Sequence, residues 1–194
     1  MNYLAHVFLS GDNNEVLIGN FIADAVKGKA MDDYSDEIRQ GIVLHRAIDE
    51  YTDNHSLHRK SRTRLHHRYS HYSGVLVDIF YDHFLAKNWL DYSDQPLLSY
   101  TEDVYRLLQE NEEILPKRIN HMLKYMIPHN WLYNYAYLEG IEKVLRGMAN
   151  RTKFDSKMEY GVEDLQLNYD KFEAEFRGFF PQLQEFVNEK LEVI

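Results

Sequence analysis

The sequence predicts an all-α protein that folds as one domain, a bundle of about seven to nine helices. Apolar residues recur at the three- and four-residue spacing of amphipathic helices through most of the chain. The sequence contains neither a convincing alternating strand pattern nor an Asn-Gly hairpin signal. No linker rich in Pro, Gly or Ser interrupts the 194 residues, so residues 1–194 suit a single domain with one core.

Turn residues separate the predicted helices. A loop at residues 10–14 precedes the N-cap of the first helix, Gly28 ends that helix and Gly74 begins a later one. Prolines 96, 116 and 128 open or separate segments of the second half. The predicted helices cover residues 13–28, 36–54, 56–70, 73–91, 99–111, 115–126, 129–148 and 168–192. Aromatic residues at helical spacing in the last of them predict a core stripe of Phe172, Phe176, Phe179 and Phe180.

Composition excludes several classes of protein. The formal net charge of −9 argues against a general nucleic-acid binder, which needs excess cations. The apolar runs are shorter than the roughly 20 residues that cross a bilayer, so we expect no membrane helix. The N-terminal segment lacks the features of a signal peptide, which predicts a cytoplasmic protein. Because the chain has no cysteine, any metal must be bound by nitrogen and oxygen ligands.

One segment of this acidic chain is basic. From His55 to Val77 the chain has no acidic residue, and it contains Arg59, Arg62 and Arg64. A basic segment in an acidic protein is typical of a surface that binds an acidic partner or a phosphate-bearing substrate. A solvated helix face is the alternative.

Three predicted helices each carry a polar pair, four residues apart, on an otherwise apolar surface. The pairs are Asn20 and Asp24, His45 and Asp49, and Asp78 and Asp82. Burying an ionised carboxylate without a partner costs several kcal/mol, so each pair requires a cation or a dense hydrogen-bond network. Helical bundles build metal centres from such inward-facing side chains. Imidazole and carboxylate ligands suit Mn²⁺ or Mg²⁺ and accept Fe²⁺, and such ions serve phosphate-ester hydrolysis.

The sequence also resembles a known family. The segments MNYLAHVFLS, GNFIADAVKG, GIVLHRAIDEYTDNH, VDIFYDHFLAKNW and NWLYNYAYLEGIEKVL resemble, in this order, the acyl carrier protein phosphodiesterase family. That family is all-α and is similar to the HD-type metal-dependent phosphohydrolases. The resemblance implies hydrolysis of the phosphodiester between 4′-phosphopantetheine and a serine of holo-acyl carrier protein, with Mn²⁺ as the usual metal. The adjacent pair in this chain is Asp82-His83, whereas HD proteins have His-Asp.

The resemblance and the polar pairs together give a mechanistic hypothesis. We expect Asp24, His45, Asp49 and Asp78 to bind the metal, and Asp82 or His83 to position the attacking water. His6, in a short apolar opening segment, is either a hydrogen-bonded core residue or a group that orients ligands or protonates the leaving oxygen.

The predicted substrate contacts are all arginines. We expect Arg46 to bind a phosphoryl oxygen, unless it points to solvent, and Arg59, Arg62 and Arg64 to attract the acidic carrier protein. Two alternatives stay open: a phosphohydrolase of nucleotides or other small phosphodiesters, and a helical protein that binds acyl carrier protein without cleaving it. No sequence pattern indicates an oligomeric state.

Overall fold

The computed structural model describes residues 1–193, and within them the chain forms eleven α-helices and no strand. This confirms the all-α prediction. The helices are α1 (Tyr3–Phe8), α2 (Asn14–Ile22), α3 (Asp36–Asn54), α4 (Ser56–Tyr69), α5 (Ser73–Lys87), α6 (Leu97–Glu110), α7 (Lys117–Met126), α8 (Trp131–Asn134), α9 (Leu138–Ala149), α10 (Gly161–Leu167) and α11 (Tyr169–Val193).

Local capping explains where the helices begin and end. The Asn13 side chain accepts hydrogen bonds from two backbone N–H groups at the start of α2, and the Ser35 hydroxyl accepts one at the start of α3. The predicted bounds of α3 are confirmed, whereas α2 ends six residues before the predicted position. Two short 3₁₀ segments, Ala23–Ala25 and Gly28–Asp33, follow α2. The extended residues Val26 and Lys27 separate them, and Gly28, with a φ of 57°, begins the second.

Two helices were not predicted, and one predicted helix is divided. The helices α1 and α10 span only six and seven residues, which is too short for a clear periodic pattern. The predicted helix 129–148 divides into α8 and α9, because Tyr137 adopts an extended backbone conformation between them. Residues 135–137 include no proline or glycine that would predict this break.

The helices α2 and α3 pack closely against each other. Gly19 of α2 and Gly41 of α3 face each other, and a Cβ atom on either glycine would overlap backbone atoms of the opposite helix. A Cβ on Gly41 would lie only 2.9 Å from the Gly19 Cα. The two backbones therefore touch at this crossing, which brings the residues just after Gly19 and Gly41 next to each other.

The rest of the core forms around α5 and α11. Nine of the ten residues of α5 from Val77 to Ala86 are buried, and the tenth, Asp78, is partly exposed. The predicted aromatic stripe of α11 is confirmed, since its four phenylalanines are completely buried. The α11 helix packs against α3, α4 and α5, so it joins these three helices in one core.

We predict that Gly41→Ala lowers the free energy of unfolding by roughly 2 to 3 kcal/mol, because the added methyl group forces α2 and α3 apart. Gly147→Ala is the matched control. Gly147 lies inside α9, where a Cβ would only approach the flexible end of the Arg151 side chain, and alanine favours a helix. Urea denaturation of the three proteins measures the difference; equal stability of the two variants would contradict the close crossing.

Candidate metal centre

The carboxylate of Asp49 lies between two histidines that come from different helices. Its Oδ1 atom is 3.2 Å from Nε2 of His6 on α1, and its Oδ2 atom is 3.2 Å from Nε2 of His45 on α3. The two imidazole rings are stacked, with 3.9 Å between their centroids. One carboxylate therefore meets both Nε2 atoms, although His6 is 43 residues away from Asp49 in the sequence.

A second carboxylate approaches the same point from α2. Asp24 lies in the 3₁₀ turn that follows α2, and its Oδ1 atom is 3.5 Å from Nε2 of His45. The Asp24 side chain is 69% exposed and that of Asp49 is 43% exposed, whereas His6 and His45 are buried. The cluster thus has a buried imidazole side and an open carboxylate side, from which a substrate can approach.

The electrostatics of the cluster depend on these contacts. Burial disfavours the charged form of His45, but hydrogen bonds to Asp24 and Asp49 outweigh burial and raise the pKa of His45 to about 9. Burial dominates at His6 and lowers its pKa to about 4. Burial would raise the pKa of Asp49, but the two histidines and the N-terminal ammonium lower it far below its ordinary value. The hydrogen bond from His45 likewise lowers the pKa of Asp24.

The donor set fits a divalent metal ion. One ligand atom each from His6, His45 and Asp49 lies within 4.8 Å of the others, and Asp24 borders this group. Two imidazole nitrogens with one or two carboxylates suit Mn²⁺, Fe²⁺ or Zn²⁺ better than a purely oxygen-bound ion such as Ca²⁺. Three of the residues predicted from the polar pairs, Asp24, His45 and Asp49, are therefore brought together. His6 joins them as a further candidate ligand, and its role in orienting ligands or donating a proton stays a prediction.

Asp78 is separated from the cluster by the N-terminal ammonium group. The Met1 nitrogen donates to Asp78 Oδ1 at 3.2 Å and lies 3.5 Å from Asp49 Oδ1. Asp78 Oδ1 also lies 3.1 Å from His58 Nε2, a contact with α4 that sequence reasoning did not identify. The ammonium and His58 lower the pKa of Asp78 against the effect of burial. The predicted role of Asp78 as a metal ligand stays a prediction, because its carboxylate is already paired with these two groups.

Asp82 holds α1 in place instead of pointing into the cluster. Its completely buried carboxylate accepts hydrogen bonds from the backbone N–H groups of Asn2, Leu4 and Ala5, at 3.2, 2.8 and 3.4 Å. It thus caps the helix that carries His6. Burial raises the pKa of Asp82 to about 7, although the ammonium group and these N–H groups oppose the rise. Both carboxylate oxygens are therefore already used as acceptors, and the water-positioning role of Asp82 stays a prediction.

His83 points to another part of the bundle. Its Nδ1 donates to the Tyr135 carbonyl oxygen at 2.7 Å, and its Nε2 is 2.7 Å from the Tyr169 hydroxyl. Consecutive residues of a helix point about 100° apart, so His83 cannot share the direction of Asp82. The structure gives His83 a hydrogen-bonded core position between α5, the residue that follows α8, and α11, and its catalytic role stays a prediction.

The predicted arginines have different surroundings. Arg64 makes a bidentate ion pair with the buried Glu175 of α11, with two contacts of 2.7 Å. Its charge is therefore neutralised by Glu175, and its role in attracting a partner stays a prediction. Arg62 makes a longer, exposed contact of 3.4 Å with Asp53. The Arg59 side chain is exposed and donates to the Asn54 carbonyl oxygen, and Arg46 is exposed on α3.

The fold and the cluster define an all-α protein with a histidine and carboxylate centre suited to a divalent metal. A family model described as acyl carrier protein phosphodiesterase matches residues 1–183. The chain therefore belongs to the acyl carrier protein phosphodiesterase family, which confirms the resemblance and identifies the chain as a member of an enzyme family.

Curated relatives agree over nearly the full length. A protein of Serratia proteamaculans named acyl carrier protein phosphodiesterase is 32% identical over 193 residues, which are 98% of this chain and 99% of the relative. Proteins of the same name from Pectobacterium atrosepticum and Klebsiella pneumoniae are 31% and 33% identical, over 95% and 98% of this chain and 96% and 99% of the relatives. No solved structure matches the chain, so its similarity to HD-type phosphohydrolases stays a prediction.

None of the helices within residues 1–193 combines the length and the apolar character that a bilayer crossing requires.

We predict that Asp82→Ala lowers the free energy of unfolding by about 3 kcal/mol, because three N–H groups at the start of α1 lose their buried acceptor. Asp94→Ala removes an exposed carboxylate and should leave the stability within about 0.5 kcal/mol of the wild-type value. Thermal and urea denaturation measure both. A stable Asp82→Ala variant without activity would instead favour the catalytic role predicted from the sequence.

Proposed function

We propose that this chain hydrolyses the phosphodiester between 4′-phosphopantetheine and a serine of holo-acyl carrier protein, and that a divalent metal, Mn²⁺ first and Mg²⁺ or Fe²⁺ as alternatives, is bound by the cluster. The observation that carries the proposal is the convergence of His6, His45 and Asp49 in a member of this enzyme family. The cytoplasmic location predicted from the N-terminal sequence is part of the proposal.

The roles of the residues follow from their burial. His6 and His45 offer Nε2 atoms from the buried side, and Asp49 offers its carboxylate between them. Asp24, which is more exposed, would complete the ligand set at the open side. A bound divalent ion supplies Lewis acidity, which stabilises negative charge on the phosphoryl oxygens in the transition state. The open carboxylate side leaves room for the phosphodiester beside Asp24 and Asp49.

The carrier protein needs a docking surface near this opening. The α4 helix connects to the cluster through His58, Asp78 and the N-terminal ammonium group, so its first turns lie next to the site. Arg59 and Arg62 occupy these turns, whereas Arg64 is held by Glu175. We therefore assign attraction of the acidic carrier protein to Arg59 and Arg62 and no longer to Arg64.

The first experiment removes the metal from the protein and incubates it with holo-acyl carrier protein, with and without Mn²⁺, while mass spectrometry follows loss of the phosphopantetheine group. We expect loss only with metal, and we expect Asp49→Ala to reduce kcat by about 100-fold or more, since the variant lacks the carboxylate that both histidines meet. Asp94→Ala is the control acid and should retain wild-type activity.

Three results would contradict this proposal in different ways. Binding of the carrier protein without cleavage would favour a non-catalytic binding protein. Equally efficient hydrolysis of small phosphodiesters would favour a phosphohydrolase of nucleotides or similar esters. Full activity of Asp49→Ala would exclude the cluster as the metal site.

We predict that the double variant Arg59→Glu and Arg62→Glu raises KM for holo-acyl carrier protein about tenfold at low salt, with little change in kcat. The effect should shrink in 0.5 M salt, because screening weakens attraction between exposed charges. Arg106→Glu with Lys124→Glu, on α6 and α7, makes the same change in net charge elsewhere. An equal rise in KM for both double variants would show a general charge effect and would exclude a specific docking role for α4.

A further inference from the structure

The side chain of Asn20 lies directly behind both histidines of the cluster. It is completely buried on α2, and its Oδ1 atom lies 2.9 Å from Nδ1 of His6 and 3.2 Å from Nδ1 of His45. The Asn20 carbonyl oxygen lies 2.9 Å from the same His45 nitrogen. One residue therefore places oxygen acceptors opposite the Nδ1 atoms of both imidazoles.

The orientation of the Asn20 amide is fixed by its other end. Nδ2 donates to the His6 carbonyl oxygen at 2.8 Å and to the Ser10 hydroxyl oxygen at 3.0 Å. The Ser10 hydroxyl in turn donates to the His6 carbonyl oxygen at 2.8 Å, so it can accept from Asn20. A rotation of the amide by 180° would lose both Nδ2 hydrogen bonds and would point N–H groups at two ring nitrogens. Only Oδ1 can therefore face the histidines.

Each imidazole is thus placed between two acceptors. Asn20 faces Nδ1, and Asp49 faces Nε2, in both His6 and His45. A neutral imidazole carries one N–H group, so one of its nitrogens must direct a lone pair at an oxygen unless a cation lies between them. The Asn20 oxygen is buried and has no access to water, whereas Asp49 is partly exposed and also contacts the N-terminal ammonium group. The proton is therefore better placed on Nδ1.

We propose that Asn20 is a positioning residue that keeps His6 and His45 protonated at Nδ1, so that the Nε2 atoms of both are available to bind a shared divalent metal ion together with Asp49. This inference deepens the proposed function, because it assigns the ligand atom of each histidine and depends on the same cluster. Hydrogen bonds of this kind behind metal-binding histidines fix the tautomer and raise metal affinity. Sequence reasoning paired Asn20 with Asp24 but assigned it no role of its own.

The test compares two substitutions of Asn20. Asn20→Leu preserves the approximate volume of the side chain and removes the acceptor, whereas Asn20→Asp keeps an acceptor opposite both Nδ1 atoms. Ser10→Ala is the matched control, because it removes a neighbouring buried hydrogen bond but leaves the amide tied to the His6 carbonyl. Circular dichroism and thermal denaturation establish that each variant is folded.

The first measurement is the tautomer of His6 in the metal-free protein at pH 8, from ¹⁵N NMR of histidine-labelled protein. The two ring ¹⁵N signals of each histidine report directly which nitrogen carries a proton. We expect Nδ1–H in the wild type, in Ser10→Ala and in Asn20→Asp. We expect Nε2–H in Asn20→Leu, since the only remaining acceptor is then Asp49.

The second measurement is binding of Zn²⁺, a diamagnetic probe, by calorimetry and by the same NMR signals. We expect the Zn²⁺ affinity of Asn20→Leu to fall about 10- to 100-fold and that of Ser10→Ala to change little. Unchanged affinity and an Nδ1–H tautomer in Asn20→Leu would overturn the inference. If the wild type bound no metal while the tautomer still switched in Asn20→Leu, the positioning role would hold and the metal-dependent function would be wrong.

Discussion

The contact between Gly19 and Gly41 is the constraint on which the rest of the site depends. Because neither glycine has a side chain, the backbones of α2 and α3 touch, and a Cβ on either would overlap the opposite helix. The next residue along α2 is Asn20, and His45 lies one turn after Gly41 on α3. The crossing thus brings the Asn20 carbonyl oxygen within 2.9 Å of the His45 ring, and Asp24 within 3.5 Å. A wider separation of the helices would lose both contacts.

The second requirement is the position of α1, a helix too short to be stable by itself. Asp82 on α5 accepts three hydrogen bonds from its first residues, and Asn20 donates to the His6 carbonyl oxygen within it. Buried polar groups of this type cost free energy unless they are paired, so each pairing also fixes a geometry. As a result, the ring of His6 stacks on that of His45 and both meet Asp49.

Some charged residues stabilise the fold through ion pairs, and others remain exposed at the candidate metal centre. Arg64 and Arg68 of α4 pair with acids of α11 and α10, and so join α4 to the C-terminal part of the bundle. The carboxylates of Asp24 and Asp49 instead remain partly exposed, next to imidazoles that are buried. An acidic opening with nitrogen ligands behind it suits a cation and, through that cation, a phosphodiester.

The sequence by itself determined the all-α class, the bounds of α3, the aromatic face of α11 and the candidates Asp24, His45 and Asp49, because helical periodicity and polar residues in apolar segments are local patterns. The family was also recognisable from ordered segments of the chain. Only the tertiary structure decided that His6 joins the cluster, that Asp82 caps α1, that His83 and Arg64 are paired elsewhere, and that Asn20 supports both histidines. These outcomes depend on contacts between residues 14 to 111 positions apart, whose geometry no local pattern contains.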